Sequence, residues 1–194
     1  MTEKNLRIVT ILGSLRKESY NKILLQAIAD KADQKWDISS ADISELPLFN
    51  QDIEADGDPE AVTTFKETIK QADGVVIVTP EYNSGIPGVL KNALDWGSRP
   101  GNSSVFMNTP VAIAGATPGG AGTALAQMQV RQTLAAMNAN VMSHPKVLVG
   151  GVQNKIDFDS GRIEDSRTIS RLEDFVHTFT SFVEMYQQSS KAGQ

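Results

Sequence analysis

The most chemically varied segment of the chain is residues 80–84, Pro-Glu-Tyr-Asn-Ser, which offers a carboxylate, a phenol, a carboxamide and a hydroxyl in succession. It follows an apolar run at residues 75–79 that is typical of a buried parallel strand, and Pro87 then favours the start of a helix. Ligands of open α/β sheets bind just beyond the carboxyl ends of such strands. The second loop (residues 80–87) is therefore predicted to bind a flat heterocycle with several polar edges.

A first loop (residues 13–21) carries a different set of polar groups: the hydroxyls of Ser14 and Ser19, the guanidinium of Arg16 and the carboxamide of Asn21. It precedes a predicted helix, whose unpaired amides and dipole favour an anion. The loop contains neither G-x-x-x-x-G-K-[ST] nor G-x-G-x-x-G, so a terminal monophosphate fits better than a triphosphate or a dinucleotide. An ordinary helix cap with a solvent-facing Arg16 is the alternative.

A third loop (residues 115–122) is rich in glycine, which lets the backbone approach a ligand closely. Taken alone, it could equally be a flexible turn before a helix. The helix after the second loop carries Lys91 and Asp95 at i,i+4 spacing, which predicts a solvated ion pair. Trp96 is predicted to lie in the core or at a subunit interface.

Composition excludes several classes of function. The chain has no cysteine, which excludes disulfides, thiolate nucleophiles and iron–sulfur clusters, so redox chemistry would need a bound cofactor. His144 and His177 are far apart, and no metal site is predicted. The net charge of −5 and the scattered Lys and Arg argue against nucleic acid. No signal sequence or membrane-spanning run is recognisable, which favours a cytoplasmic protein.

Apolar runs alternate with helical patterns along all 194 residues, which predicts one doubly wound domain over residues 1–188 and a disordered tail at 189–194. The connection at 46–59 and the loop at 150–161 are predicted to be irregular. The right-handed crossover rule favours a flavodoxin-like five-stranded parallel sheet of order 2-1-3-4-5, with helices on both faces. Strands are predicted at 6–12, 36–43, 75–79, 110–116 and 140–148. Helices are predicted at 20–35, at 60–72 and at 165–188. One further helix is predicted to begin at Pro87, and another to follow the turn at Gly119 and Gly120 and to end at about Met137.

In that order, strands one, three and four are neighbours, so the three loops face one crevice. Their patterns are G-S-x-R at residues 13–16, P-E-Y-N-x-x-x-P-x-x-L-K-N-x-x-D-W at 80–96, and Thr-Pro-Gly-Gly at 117–120. Together they resemble the NADPH-dependent FMN reductase family, which includes quinone, azo-dye and chromate reductases. The resemblance extends over residues 6–154.

The resemblance implies a flavodoxin-like fold that binds FMN without a covalent link. It implies phosphate contacts from the first loop, at Ser14, Arg16, Ser19, Tyr20 and Asn21. The second loop would contact the flavin ring and ribityl chain through Pro80, Glu81, Tyr82, Asn83 and Ser84, and the third loop would border the other edge of the ring through Thr117, Pro118 and Gly119.

The implied reaction transfers a hydride from NADPH or NADH to FMN and then electrons to a small acceptor, in ping-pong order. Quinones, azo compounds, chromate and free flavin all remain candidate acceptors. No side chain is assigned as an acid or base, because the cofactor carries the chemistry. A homodimer or homotetramer is implied. The alternatives are a non-enzymatic flavodoxin-like electron carrier, whose usual T-x-[ST]-G-[NS]-T loop is missing here, and a binding module that has lost its flavin.

Overall fold

The computed structural model describes residues 5–32, 35–157 and 159–192. Strands and helices alternate through them, as the hydrophobic pattern predicts. In chain order the elements are β1 (Leu6–Leu12), α1 (Tyr20–Ala32), β2 (Trp36–Ser40), α2 (Gln51–Ala55), α3 (Glu60–Lys70), β3 (Gly74–Val78), α4 (Gly88–Gly97), β4 (Pro110–Thr117), α5 (Ala124–Ala136), β5 (Asn140–Val141), β6 (Val147–Gly150), a 3-10 turn (Val152–Asn154), β7 (Ile156–Asp157), β8 (Arg162–Ile163) and α6 (Ser166–Ala192).

The main sheet is parallel and has the strand order β2-β1-β3-β4-β5, with β6 also paired to β4. The predicted flavodoxin-like order is therefore confirmed. All five residues of β3 are buried, because a central parallel strand is covered on both faces. This burial explains why its sequence reads as an uninterrupted apolar run.

Two helical layers cover the sheet. Val76 and Val78 of β3 pack in a cluster with α1 and α6, through residues such as Leu24 and Phe175. Their neighbours in the strand face the opposite side, in a second cluster, since successive side chains of a strand alternate between faces. That second cluster is completed by α3, α4 and α5. The prediction of helices on both faces is confirmed.

The prediction of one continuous fifth strand over residues 140–148 is wrong. Two short strands, β5 and β6, pair with successive parts of β4. Pro145 lies between them and has no N–H to donate to a ladder. Helix α5 compensates at this break, where Arg131 donates to the carbonyl of Met142 at 2.7 Å and Gln127 donates to the carbonyl of Val147 at 2.8 Å.

Three further segments differ from the sequence-based prediction. The connection at 46–59 contains the short helix α2, and the loop at 150–161 contains β7, which pairs with β8 in an antiparallel ladder. Helix α6 continues to Ala192, beyond the predicted helix end at residue 188, and disorder of the tail stays a prediction. Positions 193–194 of that tail, and 33–34 of the predicted first helix, lie outside the described residues. The single domain over 1–188 stays a prediction.

Candidate functional site

The three loops leave the sheet side by side. Their strands are neighbours, because β1 pairs with β3 and β3 pairs with β4. The amide of Gly13 in the first loop donates to the carbonyl of Val78 at 2.8 Å, and the amide of Thr79 donates to the carbonyl of Ala114 at 2.9 Å. A Cβ on Gly13 would lie 3.0 Å from the Leu90 side chain, so any larger residue here would require Leu90 to shift.

The first loop keeps its two serine hydroxyls in the interior. Ser14 and Ser19 are 7% and 3% exposed. The Ser14 hydroxyl accepts from the amide of Arg16 at 3.4 Å, and the Ser19 hydroxyl accepts from the amide of Asn21 at 3.2 Å. Each hydroxyl uses its oxygen as an acceptor in these bonds, so its hydrogen is still available to a ligand.

Around these hydroxyls the first loop has unused donors. The amides of Lys17, Glu18 and Tyr20 donate to no group within the described part of the chain. The side chains of Arg16 and Lys17 are exposed and form no ion pair with any described carboxylate. Because these groups surround the N-terminus of α1, the loop has the donors and charge that an anion requires.

Asn21 makes a bond that the sequence did not predict. Its carboxamide pairs with the backbone of Ala116 in both directions: Nδ2 donates to the carbonyl at 2.9 Å, and Oδ1 accepts from the amide at 2.8 Å. The side chain is 2% exposed. Asn21 therefore joins the first loop to the third, and a direct contact with a phosphate stays a prediction.

The second loop forms a very tight turn. Tyr82 and Gly85 exchange two backbone hydrogen bonds, at 3.2 and 3.0 Å. The two residues between them have left-handed backbones, with φ of 49° at Asn83 and 60° at Ser84, the arrangement of a type I′ turn. The side chains of Tyr82, Asn83 and Ser84 are exposed at its tip, whereas Pro80 is buried at its base.

Glu81 connects the second loop to α5. One carboxylate oxygen, Oε2, accepts from the amides of Leu125 at 2.9 Å and Ala126 at 3.0 Å. These amides lie in the first turn of α5, where they have no partner within the helix, and a carboxylate is favoured at this end of the helix dipole. The other oxygen, Oε1, accepts no hydrogen bond from the described residues. It could therefore accept a hydrogen bond from a ligand.

Gln129, one turn further along α5, also holds the second loop. Its Oε1 accepts from the amide of Ile86 at 2.9 Å, and its Nε2 lies 3.4 Å from the carbonyl of Ser84. Gln129 was not among the residues predicted for the site. Helical periodicity predicted the helix, but it carries no signal for a polar side chain that reaches a distant turn.

The third loop rests on the turn that follows β6. The amide of Gly151 donates to the carbonyl of Gly119 at 3.2 Å, and the amide of Gly119 donates to the Thr117 hydroxyl at 3.4 Å. Thr117 is half-buried, whereas Pro118 and Gly119 are exposed. The predicted residues of this loop therefore lie at the same edge of the sheet as those of the first loop, to which Asn21 fastens it.

The second half of the long signature is structural. Asn92 accepts from the amide of Phe49 at 2.8 Å and donates to the carbonyl of Pro47 at 2.9 Å. The indole of Trp96 donates to the same carbonyl at 2.8 Å, and its ring is fully buried. The predicted pair of Lys91 and Asp95 is confirmed as an exposed ion pair at 2.7 Å.

Two absences concern the residues that the structure describes. No group of three or more His, Asp or Glu side chains is arranged to hold a metal ion. No helix in the same residues is long and apolar enough to cross a membrane.

Comparisons with known proteins agree with this geometry. The family model for NADPH-dependent FMN reductase matches residues 6–154. A quinone reductase of Pseudomonas putida is 39% identical over 92% of this chain and 95% of its own length. A 2-hydroxy-1,4-benzoquinone reductase of a Burkholderia species is 41% identical over 92% and 96%.

A solved structure is also similar along its whole length. FerB, a flavoenzyme NAD(P)H:(acceptor) oxidoreductase of Paracoccus denitrificans, superimposes with a TM-score of 0.86 at 33% identity. The match covers 93% of this chain and 98% of that one. The extent of these matches, together with the three loops at neighbouring strand ends, establishes that the chain belongs to the NADPH-dependent FMN reductase family.

Proposed function

We propose that the chain is an FMN-dependent NAD(P)H oxidoreductase that reduces a small-molecule acceptor. The observation that carries this proposal is the direct connection of the loops through Asn21 and Ala116. It brings the start of α1, which has unused donors suited to an anion, and a loop edge of exposed polar groups to one end of the sheet. FMN combines a terminal phosphate with a flat polar heterocycle and fits both halves of this arrangement.

The phosphate would be held by the first loop. Ser14, Ser19, Arg16 and Tyr20 supply hydroxyls, a guanidinium and a backbone amide that have donors to spare. Each hydrogen bond to a charged group contributes about 1.5–3 kcal/mol. Asn21 would act here mainly by fixing the loop, with its second amide hydrogen as a further donor.

The flavin ring and ribityl chain would lie between the second and third loops. The second loop offers the exposed Tyr82 and the turn residues Asn83 and Ser84, with Pro80 and Glu81 at the base. Thr117, Pro118 and Gly119 would border the opposite edge of the ring. One face of the ring would stay accessible to a nicotinamide or an acceptor, since the side chains at the tip of the second loop are exposed.

When bound, FMN would supply the redox chemistry that links NAD(P)H to the acceptor, and ping-pong order is proposed for the two half-reactions. The chain's own residues bind and orient the reactants. Backbone and side-chain donors of the loops can stabilise negative charge that develops at their edge of the site. No side chain is assigned as a proton donor or acceptor.

The acceptor is proposed to be a quinone, an azo compound, chromate or a free flavin, and the donor NADPH or NADH. The relatives named quinone reductases favour the quinone among these. Measuring turnover of each acceptor with both nicotinamides would decide between them.

A homodimer or homotetramer is proposed for the assembly. Large apolar side chains near the second loop are exposed in the single chain, with Met128 at 62% and Leu125 at 43%, and a second copy could cover them. Light scattering would give the mass. The cytoplasmic location stays a prediction, which cell fractionation would test.

The function itself is tested by reconstitution. We expect the purified chain, mixed with excess FMN and desalted, to stay yellow and to be bleached by NADPH under argon. Stopped-flow mixing would distinguish an enzyme from an electron carrier, since a carrier shows negligible direct reduction by NAD(P)H. A protein that is colourless after desalting would contradict the proposal.

A further inference from the structure

The turn at the tip of the second loop has an unfavourable sequence for its shape. Both central residues of a type I′ turn need a positive φ, for which Asn-Gly is the preferred pair. Here the pair is Asn83 and Ser84, and Ser84 has φ of 60°. A serine in this region is less stable than glycine, so the surrounding structure must hold the turn in place.

Helix α5 supplies that support from two points. Gln129 accepts from the amide of Ile86 at 2.9 Å and approaches the carbonyl of Ser84 to 3.4 Å, so it contacts the chain after and within the turn. Glu81, just before the turn, is fixed to the amides of Leu125 and Ala126. The turn is thus fastened to one helix on both sides.

Gly85, the last residue of the turn, lies against the side chain of Gln129. A Cβ on Gly85 would lie 3.3 Å from Oε1 of Gln129, closer than ordinary van der Waals contact. The backbone of Gly85 is not in the left-handed region. Its lack of a side chain therefore serves the approach of Gln129 rather than the backbone conformation.

We propose that Gln129 is a positioning residue which, beside the contact of Glu81 with α5, holds the strained turn 82–85 in the conformation that receives the flavin ring. This inference rests on the proposed function, because it concerns FMN. Gln129 is exposed and belongs to the helix, not to the loops predicted to contact the cofactor. Its effect on FMN would therefore be transmitted entirely through the turn.

The first experiment compares Gln129→Ala with Gln132→Ala. Gln132 is exposed on the same helix and its side chain makes no hydrogen bond with the described residues, so it controls for the change in helix composition. Loss of the two hydrogen bonds should raise the dissociation constant for FMN about tenfold in Gln129→Ala. Gln132→Ala should bind as the wild type does.

A second readout does not involve FMN. In the apoprotein, hydrogen exchange of the Ile86 amide should accelerate in Gln129→Ala but not in Gln132→Ala, while the melting temperature stays close to that of the wild type. A purely structural role for Gln129 would lower the melting temperature without a selective change at Ile86.

A third measurement uses Ser84→Gly, which creates the preferred Asn-Gly pair. If Gln129 acts by stabilising the strained turn, Ser84→Gly should restore part of the FMN affinity in the Gln129→Ala background, and the two changes should be non-additive. Additive effects would contradict the proposal.

The outcomes separate the two levels of inference. Wild-type protein that binds no FMN would overturn the proposed function. Wild-type protein that binds FMN, together with unchanged FMN affinity and unchanged Ile86 exchange in Gln129→Ala, would overturn the positioning role alone.

Discussion

The two ends of the parallel sheet differ in how completely their polar groups are paired. At the amino end, Asp73 accepts from the backbone amide of Arg7 at 2.8 Å and from its guanidinium at 3.3 Å. At the carboxyl end, the amides of Lys17, Glu18 and Tyr20 have no partner within the described residues. One end is closed by a satisfied cross-strand contact, and the other keeps donors available.

Left-handed backbone conformations occur at both ends of the sheet. Asn83 and Ser84 lie in a loop at the carboxyl end, whereas Asn108 and Asn138 lie just before β4 and β5 at the amino end. The two ends therefore differ in the pairing of their polar groups and not in backbone conformation. The difference between the two ends suggests that the fold uses the amino end for stability and keeps the carboxyl end for binding. Substitutions at the two ends should therefore have separable effects.

The largest effect is expected for Asn21→Ala, because it breaks the connection between two loops. The change leaves the buried amide and carbonyl of Ala116 without partners, and each such group costs about 1–3 kcal/mol. Chemical denaturation should show a loss of about 3 kcal/mol in the free energy of unfolding, with weaker FMN binding. The exposed Asn102→Ala is the control, and equal stability of the two variants would contradict the account.

The next largest effect is expected for Arg16→Ala, which acts on binding alone. Removal of a charge-assisted contact worth about 1.5–3 kcal/mol should raise the dissociation constant for FMN by roughly 10- to 100-fold. The free energy of unfolding of the apoprotein should not change, since the exposed Arg16 has no partner among the described carboxylates. Unchanged FMN affinity would mean that the phosphate lies elsewhere.

The smallest effect is expected at the amino end, for Asp73→Asn. Burial alone would raise the pKa of Asp73, but the bonds from the backbone and guanidinium of Arg7 outweigh it and hold the pKa below its ordinary value of 3.8. The substitution should lower the free energy of unfolding at neutral pH by about 1 kcal/mol and leave FMN affinity unchanged.

The pH dependence of that difference has a definite sign. Because the folded pKa of Asp73 is lowered, its carboxylate stabilises the fold above pH 3.8 and loses this contribution as the pH falls through the folded pKa. Denaturation of wild type and Asp73→Asn should therefore converge in acid. Asp37→Asn, on the exposed side of β2, is the control. A stability gap that persists far below pH 3.8 would contradict the assignment.

The sequence predicts the sheet well and the contacts between loops poorly. The buried run of β3 could be recognised because a central strand is apolar throughout. Its central place in the sheet then predicted which loops lie beside the second loop. The break at Pro145 was missed because the apolar pairs 141–142 and 147–148 were joined into one strand. The polar residues 143–146 between them, with a proline that cannot donate to a ladder, do carry a local signal for the break.

Polar side chains with distant partners make the contacts that the sequence did not predict. Asn21 was predicted to donate to phosphate, since its type and position suit that role. Its bond to Ala116 joins residues 95 apart in sequence, which no local spacing reveals. Gln129 is similar, because it reaches the second loop only once α5 has packed beside it.

The central claim, that the first loop grips the phosphate of a flavin held by the other two, is tested most directly by comparing FMN with riboflavin. Calorimetric titration of the wild-type apoprotein should show FMN binding at least about 100-fold more tightly than riboflavin, as several charge-assisted bonds would require. In Arg16→Ala this preference should shrink, with riboflavin affinity unchanged. Equal affinities of the wild-type protein for the two ligands would contradict the account.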